Sequence, residues 1–159
     1  YYLTFKAKEI GFKTKLISAG RNINDFMHEY LMEKILSYKS KRKNDFSEEK
    51  VLMLGLSYKS NCGDIRNSQL IQLVNNFVNR DMNITVVDPR VNKEEVLKET
   101  GLKTLSSIPR NLKFTIIILA LCHDEFKSID TNKLLEFSTQ GTLIFDLTNK
   151  LLGEEIIKL

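Results

Sequence analysis

The sequence predicts an α/β protein: a doubly wound parallel sheet with helices on both faces, preceded by a long α-helix. Three observations carry this. Short apolar runs bounded by turn residues recur at 51–54, 82–87, 115–121 and 142–145, the pattern of buried strands. Segments of helical apolar spacing lie between them, best seen in Leu70, Ile71, Leu73, Val74, Phe77 and Val78. Strands that alternate with helices imply a parallel sheet covered on both faces, because right-handed crossovers place the helices there.

Residues 1–10 form a short helix that Gly11 stops. The clearest helix is 22–38, where Ile23, Phe26, Met27, Tyr30, Leu31, Ile35 and Leu36 make one apolar stripe. Its spacing predicts one continuous helix. Such a stripe needs a surface to cover, either the chain's own core or a partner. His28 on this helix is a surface or interface residue. The polar stretch 40–49 reads as a linker, so the compact domain begins near Lys50.

The strand at 51–54 ends at Gly55-Leu56 and leads into a polar loop, 57–66, with Asn67 or Ser68 as cap of the next helix. The second strand, 82–87, ends at Asp88-Pro89, since proline blocks continuation and removes a donor. Asp88 reads first as a turn former and second as a ligand contact. A charged helix spans 92–100, with Asn92 as cap and Gly101 as stop, and 102–105 is a short edge strand. The strand at 115–121 ends at Cys122-His123. That pair invites thought of a nucleophile or a zinc ligand, but no second Cys-x-x-Cys or His-x-x-x-His exists. Adjacent strand side chains also point to opposite faces, which argues against a Cys–His dyad. A helix at 131–137, a strand at 142–145 ending at Asp146, and a ragged final helix at 154–159 complete a five-stranded, Rossmann-like domain.

The chain has 159 residues, enough for one domain with a real core plus an appendage. Its 42% hydrophobic and 28% charged residues are ordinary for a soluble globular protein, and a net charge of +4 is mild. Lys39, Lys41, Arg42 and Lys43 form the one dense basic cluster. No aromatic residues interleave with it, so it reads as a solvated helix end rather than a nucleic-acid or membrane patch. The two cysteines, Cys62 and Cys122, do not suggest a disulfide framework, which fits a reducing, cytoplasmic location. The longest apolar run, 114–122, is too short to span a bilayer, and no signal peptide is visible. A start at Tyr1 without methionine suggests a piece of a longer protein.

The 57–66 loop carries the functional signal. Lys59 and Arg66 lie beside the free amides of a helix start, at the carboxyl edge where open α/β sheets bind ligands. Two cations there suit a phosphate, or are simply solvated loop charges. Only Gly55 and Gly63 are present, so the loop is neither G-x-G-x-x-G nor a phosphate loop of the G-x-x-x-x-G-K-[ST] kind.

A longer pattern adds to this. Gly55-Leu56-Ser57-Tyr58-Lys59-Ser60-Asn61-Cys62-Gly63-Asp64-Ile65-Arg66-Asn67-Ser68 resembles the G-L-x-[FY]-K-x-N-x-x-D-x-R-x-S signature of the nucleotide-sugar 6-dehydrogenases. These are the UDP-glucose, UDP-N-acetylhexosamine and GDP-mannose dehydrogenases. The resemblance continues through Val87-Asp88-Pro89 and the 120–126 segment. It runs back to Tyr1-Tyr2-Leu3, which resembles the tail of that family's C-x-P-x-D-P-Y-Y-L catalytic motif. The Y-Y-L-T wording and Ala19-Gly20-Arg21-Asn22-Ile23-Asn24-Asp25 look most like the UDP-N-acetylhexosamine branch.

The resemblance implies a central helical, dimerising segment with linker at 1–46 and a C-terminal UDP-sugar-binding domain at 47–159. The family oxidises the C6 alcohol of a nucleotide sugar to a carboxylate with two NAD⁺, here for bacterial surface polysaccharide or capsule synthesis. It implies that Tyr58 and Lys59 contact the nucleotide part of the substrate, and that Arg66 reaches toward NAD. It implies a homodimer through the 22–38 helix, and no nucleic-acid, membrane or metal partner. Neither Cys62 nor Cys122 matches the family's nucleophile, and NAD belongs mostly to a domain outside this sequence, so the chain alone is expected to be inactive. The family's late D-x-R element is not kept, the chain reading Asp146-Leu147-Thr148-Asn149-Lys150. Two other readings stay open: a free-standing binding or assembly module of the same fold, and a nucleic-acid binder using the 39–43 cluster.

Overall fold

The computed structural model describes residues 2–42 and 48–159. The expected boundary between 46 and 47, Lys43 of the basic cluster, and Tyr1 lie outside the described residues. Three helices come first: α1 (Tyr2–Glu9), α2 (Lys15–Asp25) and α3 (Met27–Lys41). Then follow β1 (Lys50–Leu54), α4 (Gln69–Val78), β2 (Asn83–Val87), α5 (Lys93–Thr100), β3 (Thr104–Leu105) and β4 (Phe114–Leu119). A short 3-10 turn, Asp124–Phe126, precedes α6 (Thr131–Leu135), β5 (Ser138–Asp146) and β6 (Ile156–Lys158).

The six strands form one sheet in the order β3-β2-β1-β4-β5-β6, and every neighbouring pair is parallel. This is the doubly wound, Rossmann-like arrangement that the alternation of elements predicts. Alternate side chains of each strand feed opposite faces. Val51 and Met53 of β1 join Ile116 and Ile118 of β4 under α3, α4 and α5. Leu52 and Leu54 join Ile117 and Leu119 under Phe126, Ile129, Leu134 and Phe137. Both faces are therefore covered, which is why 51–54 of β1 and 116–119 of β4 read as unbroken apolar runs. Leu73, Val74 and Phe77 of α4 have no exposed surface; burying each contributes roughly 1.5–3 kcal/mol.

Three expectations need correction. The helix expected at 22–38 is not continuous. It breaks at Phe26 (φ −91°, ψ 1°), whose N–H ends α2 on Asn22 and Asn24 carbonyls. Its own carbonyl then accepts from the Glu29 and Tyr30 amides as α3 begins. Asn22, Asn24 and Asp25 compete with the backbone for hydrogen bonds and weaken the helix at that point. The apolar stripe divides with it. Leu31, Met32 and Ile35 are buried in the sheet's own core, whereas Ile23, Phe26, Met27 and Tyr30 stay exposed.

The polar stretch from residue 40 is not a free linker at its described ends. Helix α3 runs to Lys41, and the Arg42 guanidinium donates to the carbonyls of Thr115 (3.0 Å) and Gly141 (3.5 Å) and pairs with Glu49. The final helix is instead β6, the sixth strand. Ile156 and Ile157 are β-branched and take register beside Ile144 and Phe145 at the open edge of β5.

Candidate functional site

The carboxyl ends of β1, β2 and β4 meet at one edge of the sheet, and the 57–66 loop lies across them. Gly55 begins the loop at φ +92°, and a Cβ there would meet Leu121 Cβ at 2.6 Å, so no other residue fits. Ser68 ends it as the cap of α4: its hydroxyl accepts from the Leu70 amide (3.2 Å) and donates to the Leu56 carbonyl (2.8 Å). The two ends of the loop are thus tied to each other.

Asp88, at the end of β2, is fully buried under the loop. Its Oδ2 accepts from the amides of Leu56 (2.8 Å) and Ser57 (3.2 Å), and its Oδ1 accepts from the Arg90 amide (2.9 Å). His123, beyond the end of β4 at the start of the 3-10 turn, is equally buried, and its Nε2 lies 3.0 Å from Asp88 Oδ2. The Asn61 amide donates to His123 Nδ1 (2.8 Å). Nδ1 is therefore the acceptor, and the proton sits on Nε2 facing Asp88. Ser57 Oγ is 3.5 Å from the same Nε2 and donates to the Lys59 carbonyl (3.0 Å). Serine, histidine and aspartate meet here without forming a nucleophilic triad, because serine and aspartate share one ring nitrogen and none is open to substrate.

Above this buried cluster the loop presents its side chains outward. Tyr58 is 60% exposed. Lys59 is exposed, and among the described residues no hydrogen bond or ion pair engages its ammonium. Arg66 grips Asp64 with two nitrogens, Nη2 to Oδ2 at 2.6 Å and Nε to Oδ1 at 3.0 Å. The Arg66 side chain and backbone amide hold the Asp64 carboxyl down at about 2, and the same bond raises the guanidinium. A cleft of about 520 Å³ opens beside the loop, between Tyr58, Asp64 and Arg66 on one side and Arg21, Asn24 and Asp25 of α2 on the other.

Of the three residues singled out from sequence, Tyr58 and Arg66 share this cleft. Lys59 is not among its lining residues. Asp88 forms the expected turn, its Oδ1 accepting from the Arg90 amide two residues on, but as a fully enclosed acceptor of loop amides it is corrected as a ligand contact. Cys62 and Cys122 are free thiols, and the His123 ring turns to Asp88 and Asn61. Sequence reasoning missed two contributions: the buried His123–Asp88 pair, and Arg21, Asn24 and Asp25 as one wall of the cleft. The first was findable in principle, since β2 and β4 flank β1 and their ends must converge. The second was hidden by treating 22–38 as one uninterrupted rod.

Among the described residues no group of three His, Cys, Asp or Glu side chains could hold a metal ion, and no helix is long and apolar enough to cross a membrane.

Comparison with known proteins bears on this edge directly. The profile of the UDP-glucose/GDP-mannose dehydrogenase family, UDP binding domain, matches residues 52–152. A UDP-N-acetyl-D-glucosamine 6-dehydrogenase of Pseudomonas aeruginosa is 32% identical over 147 residues, covering 92% of this chain and 35% of that protein. Its namesake from Salmonella typhi is 32% identical over 155 residues, covering 98% and 36%. Among solved structures, a ternary complex of GDP-mannose dehydrogenase from Pseudomonas aeruginosa superposes with a TM-score of 0.72 at 16% identity, covering 99% of this chain and 36% of that one. At that identity the likeness concerns the fold alone. The chain spans about a third of the length of the curated relatives it matches.

Proposed function

Because the chain belongs to the UDP-glucose/GDP-mannose dehydrogenase family, we propose that it is the nucleotide-binding part of an NAD-dependent nucleotide-sugar 6-dehydrogenase. The complete enzyme oxidises the C6 alcohol of a UDP-N-acetylhexosamine or UDP-glucose to the uronic acid, for bacterial surface polysaccharide synthesis in the cytoplasm. One observation supports this above the others. Within the matched region, Tyr58 and Lys59 stand exposed on a loop whose backbone is held from beneath by buried acceptors at the ligand-binding edge of the sheet. The Tyr58 ring offers a face to a planar or apolar part of the ligand, and the Lys59 ammonium a mobile charge for a phosphate or sugar oxygen.

NAD supplies the hydride acceptor of such an enzyme, but the residues of this sheet do not fit its cradle. The β1–α4 turn lacks G-x-G-x-x-G, and Asp88, placed where a ribose-binding carboxylate would stand, has its oxygens taken by protein amides and His123. A second part of the enzyme must hold the dinucleotide. Arg66, on the wall of the cleft, is the residue of this chain assigned to reach it. Ile23, Phe26, Met27 and Tyr30, left exposed on α2, at the break and on α3, are assigned to a homodimer contact.

Titration calorimetry with UDP tests the reading. Weak, saturable binding that a UDP-sugar displaces is expected, because the groups that would enclose the ligand from the other side are not on this chain. The chain is also expected to show no NAD⁺ reduction with any UDP-sugar. Absence of UDP binding at millimolar concentration would overturn the nucleotide assignment, and turnover by the chain alone would overturn the division of labour.

A further inference from the structure

We infer that His123 and Asp88 are positioning residues for the nucleotide loop, acting through its backbone on Tyr58 and Lys59. This rests on the reading of Tyr58 and Lys59 as nucleotide contacts. Four observations carry it. The two buried side chains spend their hydrogen bonds on both flanks of the exposed pair: Asp88 on the Leu56 and Ser57 amides before it, His123 on the Asn61 amide after it. Each clamp comes from the segment that follows a different strand, β2 for Asp88 and β4 for His123, so the loop is registered against the two neighbours of β1. Asn61 sits at φ +61°, the left-handed region that asparagine tolerates better than most residues, so the residue type and the His123 bond favour the same backbone turn. Its side chain is held too, donating to Asp124 Oδ1 (3.0 Å) while accepting from the Asp124 amide (2.9 Å).

The chemistry explains why the residue is a histidine. The position needs a buried acceptor toward Asn61 and a buried donor toward Asp88 at opposite ends of one small rigid group. An imidazole with its proton on Nε2 supplies both. An apolar side chain would leave the Asn61 amide without its acceptor and would take from the buried Asp88 carboxylate its one side-chain donor at hydrogen-bond distance among the described residues, leaving it only the Leu56, Ser57 and Arg90 amides. The cluster itself cannot touch ligand, since His123 and Asp88 have no exposed side-chain surface. Its influence on binding must pass through the loop.

Side-chain substitutions separate the two halves of the device. In His123→Asn the amide oxygen can stand in for Nδ1 and accept from Asn61. In His123→Gln the amide nitrogen can stand in for Nε2 and donate to Asp88, leaving Asn61 without its acceptor. The test uses the full chain, with UDP affinity by calorimetry and amide exchange of Asn61 by NMR. His123→Ala is expected to weaken UDP binding about tenfold and to speed Asn61 exchange by a similar factor, while β1 amides keep their protection. His123→Asn is expected to recover most of both, and His123→Gln neither. Nitrogen NMR of the wild-type ring should show Nδ1 unprotonated and Nε2 protonated. Wild-type affinity and Asn61 exchange in His123→Ala, or no recovery in His123→Asn, would overturn the proposal. If His123→Ala loses its sheet, the His123→Gln and His123→Asn comparison decides the same point. A wild-type chain that takes no UDP defeats the nucleotide reading alone, and the Asn61 exchange rates still decide whether His123 sets the loop.

Discussion

Replacing Ile35 by alanine asks whether α3 belongs to the folding unit of the sheet. Ile35 has no exposed surface and lies in the cluster shared by Leu31, Met32, Val74 and Phe77. Removing its side chain beyond Cβ leaves a void between α3 and α4 that neighbours on two rigid helices can only partly fill. The expected cost is about 2–5 kcal/mol. For a domain of this size each kcal/mol lowers Tm by roughly 2–4 °C, so the fall should be roughly 4–20 °C. The internal control is Phe26→Ala, whose ring is 59% exposed. A surface change of that kind should stay within about 0.5 kcal/mol in the monomer. The chain has no tryptophan, so urea unfolding followed by far-UV circular dichroism is the suitable assay. An Ile35→Ala variant indistinguishable from wild type would refute the packing of α3 on the sheet. If Phe26→Ala lost as much stability as Ile35→Ala, the division of the stripe into buried and exposed halves would be wrong.

Further outcomes concern the site, its electrostatics and assembly. In the complete enzyme, Lys59→Ala should raise the nucleotide-sugar KM about tenfold, whereas Arg66→Ala should act mainly on the NAD KM; wild-type kinetics in both would mark them as solvated charges. The Asp64 carboxyl, held at about 2 by the Arg66 hydrogen bonds, lies below its ordinary 3.8. The pair's contribution is therefore complete above about pH 4 and is lost as pH falls toward 2. Carbon NMR of Asp64 should titrate near 2 in the wild type and move back toward 3.8 in Arg66→Ala; an unchanged midpoint would dissociate the shift from the pair. Sedimentation at micromolar concentration should show a dimer that Ile23→Ser with Phe26→Ser converts to monomer, and a wild-type monomer would remove the dimer assignment.

The strands and their neighbours were legible because burial on both faces leaves a strong trace. The 51–54 and 116–121 runs are apolar throughout, as the centres of β1 and β4 must be in the middle of a covered parallel sheet. Caps were equally legible. Asn92 accepts from Glu94 and Glu95 amides, Ser68 accepts from Leu70, and Gly101 adopts φ +71°. The edge of the sheet was not. The 156–158 segment is too short to show a period, and only pairing with β5 makes it a strand. The break at Phe26 escaped because an apolar stripe reports which residues face one way and says nothing of backbone continuity. The site was half legible. Exposed residues such as Tyr58 and Lys59 can be recognised by a motif, but Asp88 and His123 are separated by 35 positions and meet only once the sheet is assembled.

The break at Phe26 also sets where the molecule can come apart in pieces. Helix α2 buries no residue and α1 buries only Ala7, while α3 contributes Leu31, Met32 and Ile35 to the main core. Local opening free energy follows buried apolar contact, so protection must fall steeply on crossing from Met27 to Asp25. The first two helices can fray and re-form while the sheet and α3 remain intact, making them a separate cooperative unit within one continuous chain. The Arg21, Asn24 and Asp25 wall of the cleft belongs to that labile unit, and the Tyr58 loop belongs to the stable one. Anything that settles across the cleft therefore orders the first unit against the second. Such a ligand would register as slowed exchange in residues 15–25 without any need to raise the melting temperature of the sheet.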